Sequence, residues 1–110
     1  MTGSDKLEIS TSDDVIVKTK DATGIFTPKR YNVVLMNDDY TPIDFVISLL
    51  IDIFHHGMEK AKELSATIHS AGSGIAGTYE FEIAEQKALE ATMSSRDSKF
   101  PLVVKLEPAD

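Results

Sequence analysis

The clearest hydrophobic pattern in the chain is a short apolar run that ends in a group of polar residues. Residues 33–36 are apolar and partly β-branched, which is typical of a buried strand. Residues 37–39, Asn-Asp-Asp, follow directly and favour a turn over strand pairing. Thr41 and Pro42 suit the N-cap and the first position of a helix. The pattern therefore predicts a strand, a polar turn and a helix in one short segment.

Two amphipathic helices are predicted after the polar turn. Residues 42–55 and 58–71 carry apolar residues at steps of three and four, the spacing of one helix face. Gly57 is expected to cap the end of the first helix, with His55 and His56 in its last turn. The first stripe is broad enough for burial on more than one side and consists of Ile43, Val46, Ile47, Leu49, Leu50, Ile51, Ile53 and Phe54.

The rest of the chain predicts two more strands and a third helix. Residues 77–81 alternate like a strand, and residues 82–94 have helical spacing with acidic residues in the first turn. Pro101 begins a last strand with alternating faces. The order strand, helix, helix, strand, helix, strand predicts an α/β fold of the α+β kind. It is a single small domain of residues 30–108, with a three-stranded sheet covered by helices on one face.

The start of the chain has a different composition. Residues 1–29 are rich in Ser, Thr, Asp and Lys, with few large apolar residues, and this predicts a flexible N-terminal extension. A weak alternation in residues 14–18 leaves a short strand there as an alternative.

Charge and composition limit the classes of partner. The chain has 110 residues, no cysteine, and 11 Lys and Arg against 18 Asp and Glu, a formal net charge of −7. The absence of thiols excludes disulfides, and the negative charge repels phosphate backbones, so nucleic acid is not expected as a partner. The sequence contains no apolar stretch long enough to span a bilayer and no signal-peptide pattern, so we expect a cytoplasmic protein without membrane contact.

A glycine-rich stretch matches a nucleotide-binding pattern in form only. Residues 72–77 read Gly-Ser-Gly-Ile-Ala-Gly, which fits G-x-G-x-x-G. A dinucleotide fingerprint follows a strand and opens a helix, whereas this stretch follows a predicted helix and leads into a predicted strand. We therefore assign it to a helix-to-strand turn, with Gly77 at a bulge, and expect no nucleotide cofactor.

The predicted topology brings the polar turn close to a histidine. The second helix runs back antiparallel to the first, so His69 near its end should lie beside Asn37 and the two aspartates, next to an apolar hole. Hydrogen-bond acceptors at the rim of such a hole suit a ligand that has a cation beside a bulky side chain. Local chemistry alone also allows a turn with a capping role and an ordinary packed histidine.

A small metal-dependent hydrolase is a competing class. It would use Asp38, Asp39 and His69 as ligands. Adjacent aspartates rarely converge on one ion, so this pair counts as a single ligand beside His69. The sequence has no third ligand at a suitable spacing, and no metal site is expected.

Several motifs together make the chain similar to a known family. They are Asn37-Asp38-Asp39-Tyr40-Thr41-Pro42, Asp44-Phe45-Val46, Ile68-His69, Gly77-Thr78-Tyr79, Glu82-Ile83-Ala84-Glu85-Gln86-Lys87 and Pro101-Leu102. Over roughly residues 30–108 the chain resembles ClpS, the adaptor of the bacterial Clp protease that delivers N-end-rule substrates. The resemblance implies a protein that is not an enzyme and needs no cofactor.

The resemblance also implies roles for individual residues. Asn37 and His69 would accept hydrogen bonds from the α-amino group of a substrate, and Asp38 and Asp39 would supply negative charge. A pocket for a first residue of Phe, Tyr, Trp or Leu would be lined by Leu35, Met36, Thr41, Ile43, Val46, Ser65, Ile68 and Leu102. Ile43 and Ser65 depart from the family, which often has Met at both positions, and this changes the expected shape of the pocket.

The implied partners are the N-terminal peptides of substrate proteins and the N-terminal domain of a ClpA-type or ClpC-type AAA+ unfoldase. Tyr40, Glu82 and Lys87 match positions that the family uses toward the unfoldase, and the N-terminal extension matches the segment that engages it during hand-over. We expect a monomer. The alternative is a general protein-docking domain, since the order of elements also resembles the C-terminal domain of the ribosomal stalk protein.

Overall fold

The computed structural model describes residues 9–11, 16–18 and 29–109, which form five strands and three helices. The elements are β1 (Ile9–Thr11), β2 (Ile16–Lys18), β3 (Arg30–Met36), α1 (Ile43–Asp52), α2 (Met58–Ala71), β4 (Ser73–Glu80), α3 (Phe81–Asp97) and β5 (Val103–Pro108). β1 and β2 pair antiparallel, with Ser10 opposite Val17. The rest of the predicted N-terminal extension lies outside the described residues.

From Arg30 onward the fold is a three-stranded antiparallel sheet with three helices. β3 lies in the centre, between β4 and β5. Tyr31, Val33 and Leu35 alternate along β3 and are buried in a core that also contains residues of all three helices. On the other face, Ile75 and Val103 are about half exposed. The predicted fold class, including the helical cover on one face, is therefore confirmed.

A bulge interrupts β4 where the glycine-rich stretch predicts one. Val33 pairs with Gly77 but the next residue of β3, Val34, pairs with Ile75, so Ala76 is the extra residue. The ring Nε2 of His56 lies 2.6 Å from the carbonyl oxygen of Ala76. This contact holds the bulge to the segment between α1 and α2.

Only the first of the six residues in the glycine-rich stretch forms the turn. Gly72 has a φ of +95° and caps the end of α2, and β4 begins at Ser73. The prediction that residues 72–77 all belong to a helix-to-strand turn was therefore too broad.

The predicted end of the first helix was also wrong. α1 ends at Asp52, and Gly57 lies at the N-terminus of α2 with a φ of −73°, so it does not cap α1. The buried ring of Phe54 draws the chain into the core just after the helix, and His55 makes the turn with a φ of +62°. Glycine is the residue expected at such a turn, because it adopts a positive φ most readily.

Candidate functional site: a cavity beside the polar turn

The polar turn after β3 is organised by the carboxylate of Asp38. One carboxylate oxygen accepts hydrogen bonds from the backbone N–H groups of Tyr40 and Thr41, both at 2.7 Å, and the other accepts the Thr41 hydroxyl at 2.8 Å. The side chain of Thr41 therefore donates to Asp38 and does not cap α1 as predicted. Pro42 occupies the N-cap position, without a side-chain cap.

These hydrogen bonds also favour the ionised form of the Asp38 carboxyl. Partial desolvation raises the pKa of the Asp38 carboxyl, but the hydrogen bonds from Thr41 and Tyr40 and the nearby positive charge of Arg96 outweigh it, so the pKa is lowered overall. Asp38 therefore stays ionised to a lower pH than an ordinary aspartate.

A backbone hydrogen bond joins the polar turn to the end of α2. The N–H of Asn37 donates to the carbonyl oxygen of Gly72 at 2.9 Å. Because Gly72 is the C-cap of α2, this bond places the last turn of the helix, with His69, next to the turn. Asn37, Asp39 and His69 are all exposed, so their polar atoms can reach a ligand.

A cavity of about 380 Å³ opens between the polar turn, α1 and α2. Its walls combine the polar residues of the turn and His69 with apolar side chains from both helices. The lining residues are Asn37, Asp38, Asp39, Thr41, Ile43, Val46, Ser65, Ile68 and His69. The structure thus brings together the four residues predicted at the amine and five of those predicted for the apolar pocket.

Three residues predicted for the pocket do not line the cavity. Leu35 and Leu102 are 0% and 1% exposed and belong to the hydrophobic core. Met36 lies in a separate hollow that also contains Val34 and Ile75. Successive side chains of a strand point to opposite faces, so Leu35 and its neighbour Met36 could not both face the same pocket.

The residues predicted to contact an unfoldase do not form one cluster. Tyr40 is 77% exposed and lines a surface hollow with Arg96, close to the C-terminal end of α3. Glu82 lies in the first turn of the same helix, so about 21 Å of helix separates it from Arg96. The ammonium group of Lys87 donates to the carbonyl oxygen of Ile53 at 2.7 Å.

The sequence reasoning missed a glycine that supports the cavity wall. A Cβ added to Gly74 would lie 2.8 Å from Cγ1 of Ile68, which lines the cavity and is 2% exposed. Glycine inside a strand often marks such a close approach, and this was the available signal.

The described ranges contain neither a cluster of metal-binding side chains nor a helix that could span a membrane. Residues 9–11, 16–18 and 29–109 contain no group of three His, Cys, Asp or Glu side chains that could hold a metal ion. None of the helices in these ranges has the length and hydropathy needed to cross a membrane.

Comparison with known proteins identifies the family. The family model described as "ATP-dependent Clp protease adaptor protein ClpS" matches residues 26–105, most of the chain. The chain belongs to the ClpS family. The match includes the whole polar turn, both helices that line the cavity and the first half of β5.

Similar ClpS proteins include two from Vibrio. The chain is 47% identical over 88 residues to the ATP-dependent Clp protease adapter protein ClpS of Vibrio atlanticus, covering 80% of this chain and 83% of that protein. It is 41% identical over 98 residues to the protein of the same name from Vibrio cholerae, covering 89% and 92%. These relatives are named as adaptors.

A solved ClpS structure has the same fold and holds a small amine ligand. The structure of Agrobacterium tumefaciens ClpS2 bound to L-phenylalaninamide matches with a TM-score of 0.72 and 40% identity, over 74% of this chain and 99% of that one. Its ligand has a free α-amino group beside a phenyl side chain.

Proposed function

We propose that this ClpS-family chain is an N-end-rule adaptor that binds the first residue of a substrate protein in the cavity beside the polar turn. The observation that carries the proposal is the position of Asn37, Asp39 and His69 at the rim of a hole whose walls include Ile43, Val46 and Ile68. A protein N-terminus with a bulky first residue has a cation and an apolar group in the same relation.

The rim matches the donors of an α-ammonium group. An ammonium has three donors and no acceptor, and the carboxamide oxygen of Asn37, a neutral imidazole nitrogen of His69 and a carboxylate together satisfy it. We assign the carboxylate to Asp39, directly or through water, because the oxygens of Asp38 already accept three hydrogen bonds within the turn. Asp38 then positions the turn and adds negative charge.

The energetic terms are large enough for selective but reversible binding. Each charge-assisted hydrogen bond contributes about 1.5–3 kcal/mol, and burial of a Phe or Leu side chain adds about 1.5–3 kcal/mol. After the ordering cost of a flexible peptide end, this leaves an interaction of roughly −8 kcal/mol, in the micromolar range. An internal or acetylated residue lacks the charge and would leave the acceptors unpaired.

The adaptor would present its substrate to a AAA+ unfoldase of the ClpA or ClpC type and would itself catalyse no reaction. We expect a cytoplasmic monomer. Glu82 and Lys87 on α3 remain the proposed unfoldase contacts. Tyr40 lies near the other end of that helix, so any contact it makes belongs to a second region of the interface.

Titration of two matched amides tests the proposal. Phenylalaninamide should bind with a micromolar dissociation constant and N-acetylphenylalaninamide should not bind measurably, because acetylation removes the ammonium and keeps the ring. Asn37→Ala and His69→Ala should each weaken binding of phenylalaninamide about tenfold or more, the loss of one charge-assisted hydrogen bond.

The control is His55→Asn, which changes an exposed histidine outside the cavity and tolerates its positive φ. Isothermal titration calorimetry measures the unchanged protein with each of the two amides and the three variants with phenylalaninamide. Equal binding of the acetylated amide, or unchanged binding by both alanine variants, would favour a docking domain that does not read N-termini.

A further inference from the structure

One buried polar side chain in the cavity wall is not used by the proposed amine site. Ser65 lines the cavity and is 2% exposed, and the described residues contain only one other buried polar residue, Ser95. The other polar residues of the lining are His69 and members of the polar turn, and the remaining lining residues are apolar, so the Ser65 hydroxyl is the polar feature of the cavity away from the rim.

The hydroxyl of Ser65 has a defined hydrogen-bonding state. It donates to the carbonyl oxygen of Lys62, one helical turn earlier, at 2.9 Å. A hydroxyl has one donor hydrogen and two acceptor lone pairs. With its hydrogen used inside the helix, Ser65 can offer an acceptor to a ligand in the cavity without losing a bond of its own.

The spacing along α2 sets the depth of this acceptor. Ser65 and His69 are four residues apart, so they lie on the same face of the helix and about 6 Å apart along its axis. If His69 binds the α-amino group, Ser65 lies about one aromatic side chain deeper. Thr41, the other hydroxyl in the lining, belongs to the polar turn at the rim and donates to Asp38.

We propose that Ser65 is a specificity-determining residue that makes the cavity prefer tyrosine over phenylalanine as the first residue of a substrate. The phenol O–H of tyrosine would donate to the Ser65 oxygen at the inner end of the cavity. This inference rests on the proposed function. Without an acceptor at this depth the preference would reverse, because a buried phenol with no partner loses its hydrogen bonds to water.

Competition between two amides measures the preference. Tyrosinamide and phenylalaninamide differ by one oxygen atom, and each displaces a fluorescent peptide that begins with Phe. In the unchanged protein tyrosinamide should bind about two- to tenfold more tightly, the range expected for one neutral hydrogen bond. The 4-fluoro analogue of phenylalaninamide has a substituent at the same ring position but no donor, and it should show no such gain.

Two variants assign the effect to one side chain. Ser65→Ala should abolish or reverse the ratio and still bind phenylalaninamide. Ser95→Ala is the matched control: its hydroxyl donates to Ala91 at 2.7 Å inside α3 and does not line the cavity, so the ratio should be unchanged. Thermal melts confirm that both variants fold, which alanine favours at helical positions.

The outcomes separate this inference from the proposed function. A ratio of one or less in the unchanged protein, or the same ratio in Ser65→Ala, overturns the role of Ser65 and leaves N-terminal binding intact. Failure of both amides to bind the unchanged protein overturns the proposed function as well.

Discussion

At the scale of single residues, the two adjacent aspartates differ in their hydrogen bonding. Asp38 accepts two backbone N–H groups and one hydroxyl and thereby fixes the path of the chain from β3 to α1. Asp39 is exposed and accepts no hydrogen bond from any described residue. The sequence presents two equal carboxylates, and only the folded turn distinguishes the one that is used within the turn from the one proposed to bind the ligand.

Replacement of Asp38 by Asn should therefore reduce stability in a pH-dependent way. Because the pKa of Asp38 is lowered in the folded state, its ionised form stabilises the protein fully above its ordinary value of 3.8, and this contribution is lost as pH falls through the folded pKa. We expect Asp38→Asn to cost about 1 kcal/mol at neutral pH, similar to loss of a helix cap, with the difference disappearing in acid.

Urea unfolding at a series of pH values measures this effect. Asp39→Asn is the control and should weaken binding of phenylalaninamide without changing the free energy of unfolding at neutral pH. A stability loss that is the same for both variants would contradict the division of roles.

At the scale of elements, the wall of the cavity depends on a close contact between a strand and a helix. α2 packs against β4 so tightly that Gly74 leaves no room for a Cβ beside Ile68. Ile68 in turn lines the cavity. The shape of the site is thus controlled partly from a strand that contributes none of its lining residues.

We expect Gly74→Ala to destabilise the protein by about 1–3 kcal/mol through overpacking, and to weaken binding of phenylalaninamide because Ile68 must shift. Gly57→Ala is the control, since nothing lies within 4 Å of a Cβ added there. Urea unfolding and calorimetric titration measure the two effects. In a double variant of Gly74→Ala and Ile68→Ala, the loss in free energy of unfolding should differ markedly from the sum of the two single losses. Equality with that sum would show that the contact between residues 74 and 68 does not cause the destabilisation.

The elements differ in how far the sequence predicts them. The bounds of α2, residues 58–71, follow from a clean apolar stripe between two glycines and match the structure. The predicted end of α1 does not match the structure, because the last apolar residues of the predicted helix lie beyond its end and pack in or against the core. The cavity follows from the antiparallel arrangement of two helices, but the contact between Gly74 and Ile68 depends on packing that no local pattern encodes.

At the scale of the whole molecule, the site joins segments that are distant in sequence. Residues 37–46 supply one side of the cavity and residues 65–69 the other, and only the tertiary fold holds them together. A ligand that contacts both sides binds the folded state alone, so binding and global stability are linked.

Phenylalaninamide should consequently raise the melting temperature. At a ligand concentration of about 100 times the dissociation constant the gain is about 2.7 kcal/mol, which corresponds to roughly 10 °C or more for a domain of this size. Differential scanning fluorimetry measures the shift. N-acetylphenylalaninamide at the same concentration should leave the melting temperature unchanged, as should phenylalaninamide added to Asn37→Ala. A shift with the acetylated amide would indicate binding that ignores the ammonium.

The hydrogen bond from the N–H of Asn37 to the carbonyl of Gly72 can be followed by hydrogen exchange. The amide exchanges with deuterium when this bond opens, and the polar turn is then no longer tied to the end of α2. Its exchange rate therefore reports how often this connection between the two sides of the empty cavity opens. A ligand that contacts both sides should slow the exchange. The exchange rate of the Asn37 backbone N–H would then report binding and release of a substrate N-terminus without any added label.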